Sequence, residues 1–217
     1  MATKKNIHQE IIQIYTDLKL NGGGTPTVYQ ICKIINIEES EFYNHFNSVN
    51  AIENKILLEI IESSLEVLQK SKEYSTYSQK DKLLSFYFTF FETLTLNRSM
   101  VLSIINSQPT KWEKIKALSV LKEPYINFFE SLQIAIPKIK IDKILSAQEK
   151  GVEYAAWSQL LITIKFWMDD TSLGFEKTDI FIEKSIKNTF NFIEYNTLND
   201  LLDFGKFIWK EKFYTFS

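Results

Sequence analysis

A chain of 217 residues that is 45% hydrophobic and 14% aromatic can bury a sizeable core and is too apolar for a disordered segment. Its net charge of −2 gives no global attraction to nucleic acid or to an anionic membrane. Six glycines and four prolines suit an all-α chain with short connections.

The first helix is predicted over 4–20, where Ile7, Ile11, Ile14, Tyr15 and Leu18 recur at helical spacing. Asn21-Gly22-Gly23-Gly24 ends it. A glycine triplet that follows a helix reads as a cap and loop, because a phosphate cradle needs a strand before it. Thr25-Pro26 opens a second helix with proline in its first turn. A recognition helix is predicted over 39–46. Val28, Ile31, Ile34, Ile35, Ile37, Phe42, Tyr43 and Phe46 fall where a helix-turn-helix packs two helices on a third. Asn36 stands at the turn and tolerates a left-handed backbone, though less freely than glycine. A fourth helix is expected from about 50 to 71, with Asn50 and Glu53 at capping-box spacing.

The polar stretch 71–80 is the first break. Phe86, Tyr87, Phe88, Phe90, Phe91 and Leu94 make the helix 82–97 apolar all round and therefore central. A short helix over 100–106 stops at Gln108-Pro109. The next is predicted over 111–136, opened by a Thr110–Glu113 capping box and broken or kinked at Pro124. Further helices are expected over 141–168, 175–195 and 198–214, the last ending in an aromatic tail. Asp169-Asp170 reads as a solvated helix end. No apolar run approaches the ~18 residues of a membrane span, and 1–9 is too short and polar for a signal peptide. Cys32 is alone, so no internal disulfide forms, and it reads as a buried structural thiol. These features suit a cytoplasmic protein.

Chemistry finds little purchase. The two histidines, His8 and His45, belong to no cluster with metal-ligand spacing. No nucleophile motif such as G-x-S-x-G occurs. The expectation is a protein with no catalytic residues, no metal and no cofactor.

The order Thr27, Ile31-Cys32, Asn36-Ile37, Phe42-Tyr43-Asn44-His45-Phe46, then Ser48-Val49-Asn50-Ala51-Ile52, resembles the TetR family of transcriptional regulators. That resemblance implies an all-α protein with a helix-turn-helix domain over 1–48 and a larger ligand-binding and dimerisation domain over 49–217. It implies a homodimer through the helices at 141–168 and 175–195, and a double-stranded DNA operator. Thr27, Tyr29, Ser40, Glu41, Tyr43, Asn44 and His45 would then meet phosphates or bases, with Asn44 suited to adenine and Glu41 to cytosine N4. Against the family pattern, Asn36 stands for the turn glycine and Val49 for the lysine after Ser48. The recognition segment has no Lys or Arg and carries Glu38, Glu39 and Glu41. Phosphate neutralisation supplies most DNA affinity, yet 1–60 holds five Lys against seven Asp and Glu. The only arginine of the chain, Arg98, lies far along the sequence.

An apolar effector, small molecule or lipid, would fit among Phe86, Phe90, Trp112, Tyr125, Phe128, Phe129, Trp157 and Phe166. The same aromatics could equally be ordinary core. The segment Asp170, Ser172, Phe175, Glu176, Thr178, Phe181, Ile182 and Glu183 also resembles the TetR-fold lipid-binding proteins of ubiquinone biosynthesis. That implies an alternative, an isoprenoid- or lipid-binding protein that has lost operator binding. Asp170 and Ser172 also suit simple caps of the loop and following helix.

Overall fold

The computed structural model describes residues 6–22, 24–135 and 142–194. They are all-α, with no strand among the described residues. In chain order the helices are α1 (Ile7–Gly22), α2 (Val28–Ile35), α3 (Glu39–His45), α4 (Val49–Lys70), α5 (Gln79–Leu96), α6 (Arg98–Asn106), α7 (Lys111–Ala117), α8 (Lys122–Ser131), α9 (Asp142–Asp169) and α10 (Glu176–Glu194). Two compact units emerge, one of Met1–Ser71 with Thr89–Tyr125, the other of Lys72–Phe88 with Ile126–Ser217. The division falls inside α5 and inside α8.

In the first unit α1 packs against α2, α3, α4 and α6. Ile11, Tyr15, Ile31, Phe42, Ile52 and Leu57 are fully or almost fully buried. Ile11 and Tyr15, Ile31 and Ile35, and Ile52, Ile56 and Ile60 recur four residues apart and are buried, which puts them on the inner stripe of their helices. One polar group joins this core. Glu53 Oε1 on α4 accepts from Tyr15 Oη at 2.5 Å and from Lys19 Nζ at 2.7 Å, both on α1. All three side chains are buried.

That arrangement corrects the predicted Asn50–Glu53 capping box. Helix α4 starts one residue earlier, with Ser48 as its cap and Ser48 Oγ accepting from the Ala51 amide at 3.2 Å. Glu53 is then turned inward, where a cationic partner offsets its desolvation. The second helix is corrected too. Pro26 precedes it, and Thr27 is the cap, in a reciprocal capping box with Gln30.

The helix predicted over 111–136 is three pieces. A 3-10 segment, Leu118–Leu121, separates α7 from α8, and its tighter winding aligns positions three apart. Leu118 and Leu121 are both buried. The break thus falls just before Pro124, which is the third residue of α8, where its missing N–H has no intrahelical acceptor to lose. Gln133, at φ 51°, carries the chain out of helix before 136.

In the second unit α9 packs against α10. Leu160, Ile164 and Trp167 on α9 and Ile182 and Ile186 on α10 are buried. Gln159 bridges the two helices through Ser185 at 3.4 Å and Thr189 at 3.4 Å. The predicted solvated pair Asp169-Asp170 divides. Asp169 is exposed and contacts Lys165, whereas Asp170 is buried. The helix predicted at 198–214 and its aromatic tail lie outside the described residues.

Candidate nucleic-acid interface and aromatic interior

The turn between α2 and α3 is built from local rules. Helix α2 closes on Asn36, whose φ of 58° and ψ of 52° are left-handed. The amide of Ile37 donates five residues back to the Cys32 carbonyl at 3.1 Å, which satisfies a terminal carbonyl in the manner of a Schellman cap. Cys32 is buried, and burial raises its thiol pKa. Helix α3 is only seven residues long, too short to hold itself in water. Its position comes from two anchors, Phe42 and Phe46, both buried.

With those rings turned inward, Glu39, Ser40, Tyr43 and Asn44 face outward. Tyr43 is 53% exposed, and Ser40 and Asn44 are also exposed. From α2, Thr27 is exposed at the cap and Tyr29 is 62% exposed. Lys33 Nζ stands 5.9 Å from the centre of the Tyr29 ring. Glu41 and His45 are half-buried. Asn44 Nδ2 donates to Glu41 Oε2 at 3.0 Å, and Glu41 Oε1 lies 3.4 Å from His45 Nε2. His8 of α1 stacks on Phe46 at 4.4 Å and stands 6.0 Å from the His45 ring. Burial, then the neighbouring His45, lowers the His8 pKa. Sequence spacing alone does not reveal this histidine pair, because its members lie 37 positions apart. Lys4 and Lys5 lie outside the described residues.

The aromatic candidates divide by exposure. Phe90 and Tyr125 in the first unit are completely buried, as is Phe86 in the second. Phe128, Phe129 and Trp157 are buried as well. Phe86 stacks on Phe128 with ring centres 4.5 Å apart. Trp112 is instead 73% exposed on α7, and so stands on the surface rather than in the aromatic interior. Phe166 also reaches the surface, where it stacks on Phe181 at 4.5 Å, nearly parallel. Phe166, Ile180, Phe181, Lys177 and Lys184 line an open groove of about 390 Å³. Among the described residues, no group of three or more His, Cys, Asp or Glu could hold a metal ion. No described helix is long and apolar enough to cross a membrane.

Residues 82–208, more than half of the chain, match the family model of the tetracyclin repressor-like C-terminal domain. The chain belongs to the TetR family of transcriptional regulators. Two crystal structures share its fold. One is a TetR-family transcriptional regulator from Syntrophomonas wolfei, with a TM-score of 0.62 and 14% identity over 86% of this chain and 96% of that one. The other is a regulatory protein of the TetR family from Rhodococcus RHA1, with a TM-score of 0.50 and 13% identity over 88% and 98% of the two chains. No curated protein sequence matches the chain.

In this TetR-family protein the segment after α9 is a structural cap. Asp170 Oδ1 accepts from the Ser172 amide at 2.8 Å and the Ser172 hydroxyl at 2.6 Å. Oδ2 accepts from the Thr178 amide at 2.9 Å and the Thr178 hydroxyl at 2.7 Å. These bonds, Ser172's side chain first, hold the Asp170 carboxyl well below the usual range. The carboxylate thereby ties the end of α9 to the first turn of α10, where negative charge also suits the helix dipole.

Proposed function

We propose that this TetR-family protein is a ligand-responsive regulator that binds duplex DNA through α2 and α3 and takes an apolar effector among its buried aromatics. The observation that carries the reading is the outward display of Ser40, Tyr43 and Asn44 from a short helix anchored by Phe42 and Phe46, with Tyr29 exposed on α2. Hydroxyls and an amide in that setting suit phosphate and base-edge contacts. Residues 1–48 would form the DNA-reading domain and 49–217 the ligand and dimer domain of a cytoplasmic homodimer. The exposed Ile162, Phe166 and Ile180 of α9 and α10 supply an apolar face for the second copy. An effector that changes the position of α4 would act on α1 through the Glu53–Lys19 bond, and so on the helices packed against α1.

One observation favours a second reading, an apolar-lipid carrier without operator binding. Helix α3 and its cap present Glu38, Glu39 and Glu41 with no Lys or Arg. Fluorescence anisotropy of the purified protein on labelled DNA from its own upstream region decides between them. Specific binding that weakens with added salt supports the regulator. No binding at low salt sinks it, and native mass spectrometry for a co-purified lipid then tests the carrier.

A further inference from the structure

Resting on the DNA reading above, the geometry of α3 gives Glu41 a definite role. Its carboxylate takes the Asn44 amide nitrogen on one oxygen at 3.0 Å and faces His45 Nε2 with the other at 3.4 Å. The spacings are i to i+3 and i to i+4, which place all three groups on one stretch of helix surface. Asn44 is exposed, while Glu41 is half-buried.

A side-chain amide has an acceptor end and a donor end, and half a turn about its last bond exchanges them. Only one orientation presents Oδ1 and an Nδ2–H in the order that matches adenine N6–H and N7. A carboxylate only accepts, so it holds Nδ2 beside it and repels Oδ1. The bond to Glu41 uses one of the two hydrogens on Nδ2 and leaves the second for a base. We propose that Glu41 is a positioning residue that fixes the polarity of the Asn44 amide, so that α3 reads adenine in the major groove. Glu41 is then neither a reader of cytosine nor a mere repulsive charge.

The test is site selection by the full-length protein from a randomised duplex pool, followed by anisotropy on the selected duplex. The wild type should prefer adenine at one position of each half-site by about tenfold, the discrimination of a bidentate amide contact. Replacing that adenine by 7-deazaadenine, which lacks N7, should remove most of the preference, and so should Asn44→Ala. Glu41→Gln is the decisive variant. Its amide both donates and accepts, so it no longer fixes the Asn44 polarity. Adenine preference should fall towards parity, while total affinity at low salt holds or rises because a negative charge is gone. Retention of the full preference in Glu41→Gln overturns the proposal. A cytosine preference that vanishes in the same variant also overturns it, by making Glu41 the reader. Thermal melts by circular dichroism separate either result from misfolding. Wild-type protein that binds no duplex fails the DNA reading itself, whereas binding without adenine preference fails only the positioning role.

Discussion

Lys19 and Glu53 form an ion pair with Nζ 2.7 Å from Oε1, both side chains more than nine-tenths buried between α1 and α4. Tyr15 Oη shares the same oxygen, and burial, then Glu53, pushes its phenol pKa far up, so it stays a donor throughout the working pH range. The pair costs desolvation on both sides, and breaking it leaves one buried charge uncompensated. Glu53→Ala should destabilise the protein by about 3 kcal/mol or more. The apolar triple replacement Lys19→Met, Glu53→Leu and Tyr15→Phe, which also removes the hydroxyl that would lose its acceptor, should cost far less. Urea unfolding of the three proteins checks this, and equal losses in the single and triple variants would refute it.

Acid should weaken the fold in two stages. His8 has a lowered pKa, so the unfolded chain takes up its proton first. Stability from this group is intact above about pH 6.5 and declines as pH falls below that value. Asp170 has a depressed pKa set first by its bond from Ser172. Its contribution is complete above about pH 4, the unfolded carboxyl value, and is lost as pH falls further towards the folded value. Urea midpoints between pH 8 and 3 should therefore fall twice. His8→Gln should flatten the upper stage alone. Asp170→Asn should lower stability at pH 7 and flatten the lower stage alone.

These pH-sensitive groups also mark where the sequence stopped being legible. Residues whose role is set by nearest helical neighbours read correctly. Phe42 and Phe46 anchor α3 as their spacing requires, Asn36 adopts the left-handed turn its type allows, and Thr110 caps α7. Glu53 misled because capping-box spacing is a local signal, and its real partners lie 34 and 38 residues away. Asp170 caps the loop and the following helix as its residue type suits, through the Ser172 and Thr178 amides, and only its reading as a solvated end fails. It reaches Thr178 only because the chain turns back through Gly174 and Phe175 at φ 59° and 62°, and a phenylalanine gives no sign of a left-handed backbone. Trp112 was grouped with the buried aromatics by composition, and nothing local distinguishes an exposed tryptophan from a core one.

The apolar face of α9 and α10 should hold two copies together. Ile162 and Phe166 are one helical turn apart, and Ile162 and Ile180 are 58% and 49% exposed. Light scattering on a sizing column should give twice the chain mass of 25.5 kDa. Because Ile180 already stands in solvent, Ile180→Asp should leave the monomer folded while weakening the dimer by about tenfold or more, the effect of losing a central apolar anchor. An unchanged dimer would place the interface on another surface.

Glu38 and Glu39 offer a direct test of the proposed approach of α3 to a DNA backbone. Both are exposed, one at the cap and one in the first turn, where negative charge favours the helix dipole by roughly 0.3–1 kcal/mol. The same charges oppose phosphate. Glu39→Lys should therefore lower folding stability by about that amount and raise DNA affinity. If the new lysine meets a phosphate, the slope of log affinity against log salt should steepen by about 0.9 for each contact. A homodimer adds two such contacts. Anisotropy titrations from low to physiological salt read both quantities. Stability lost with no change in slope would mean that this end of α3 points away from the phosphates, and that the operator is approached through Tyr29 and Lys33 instead.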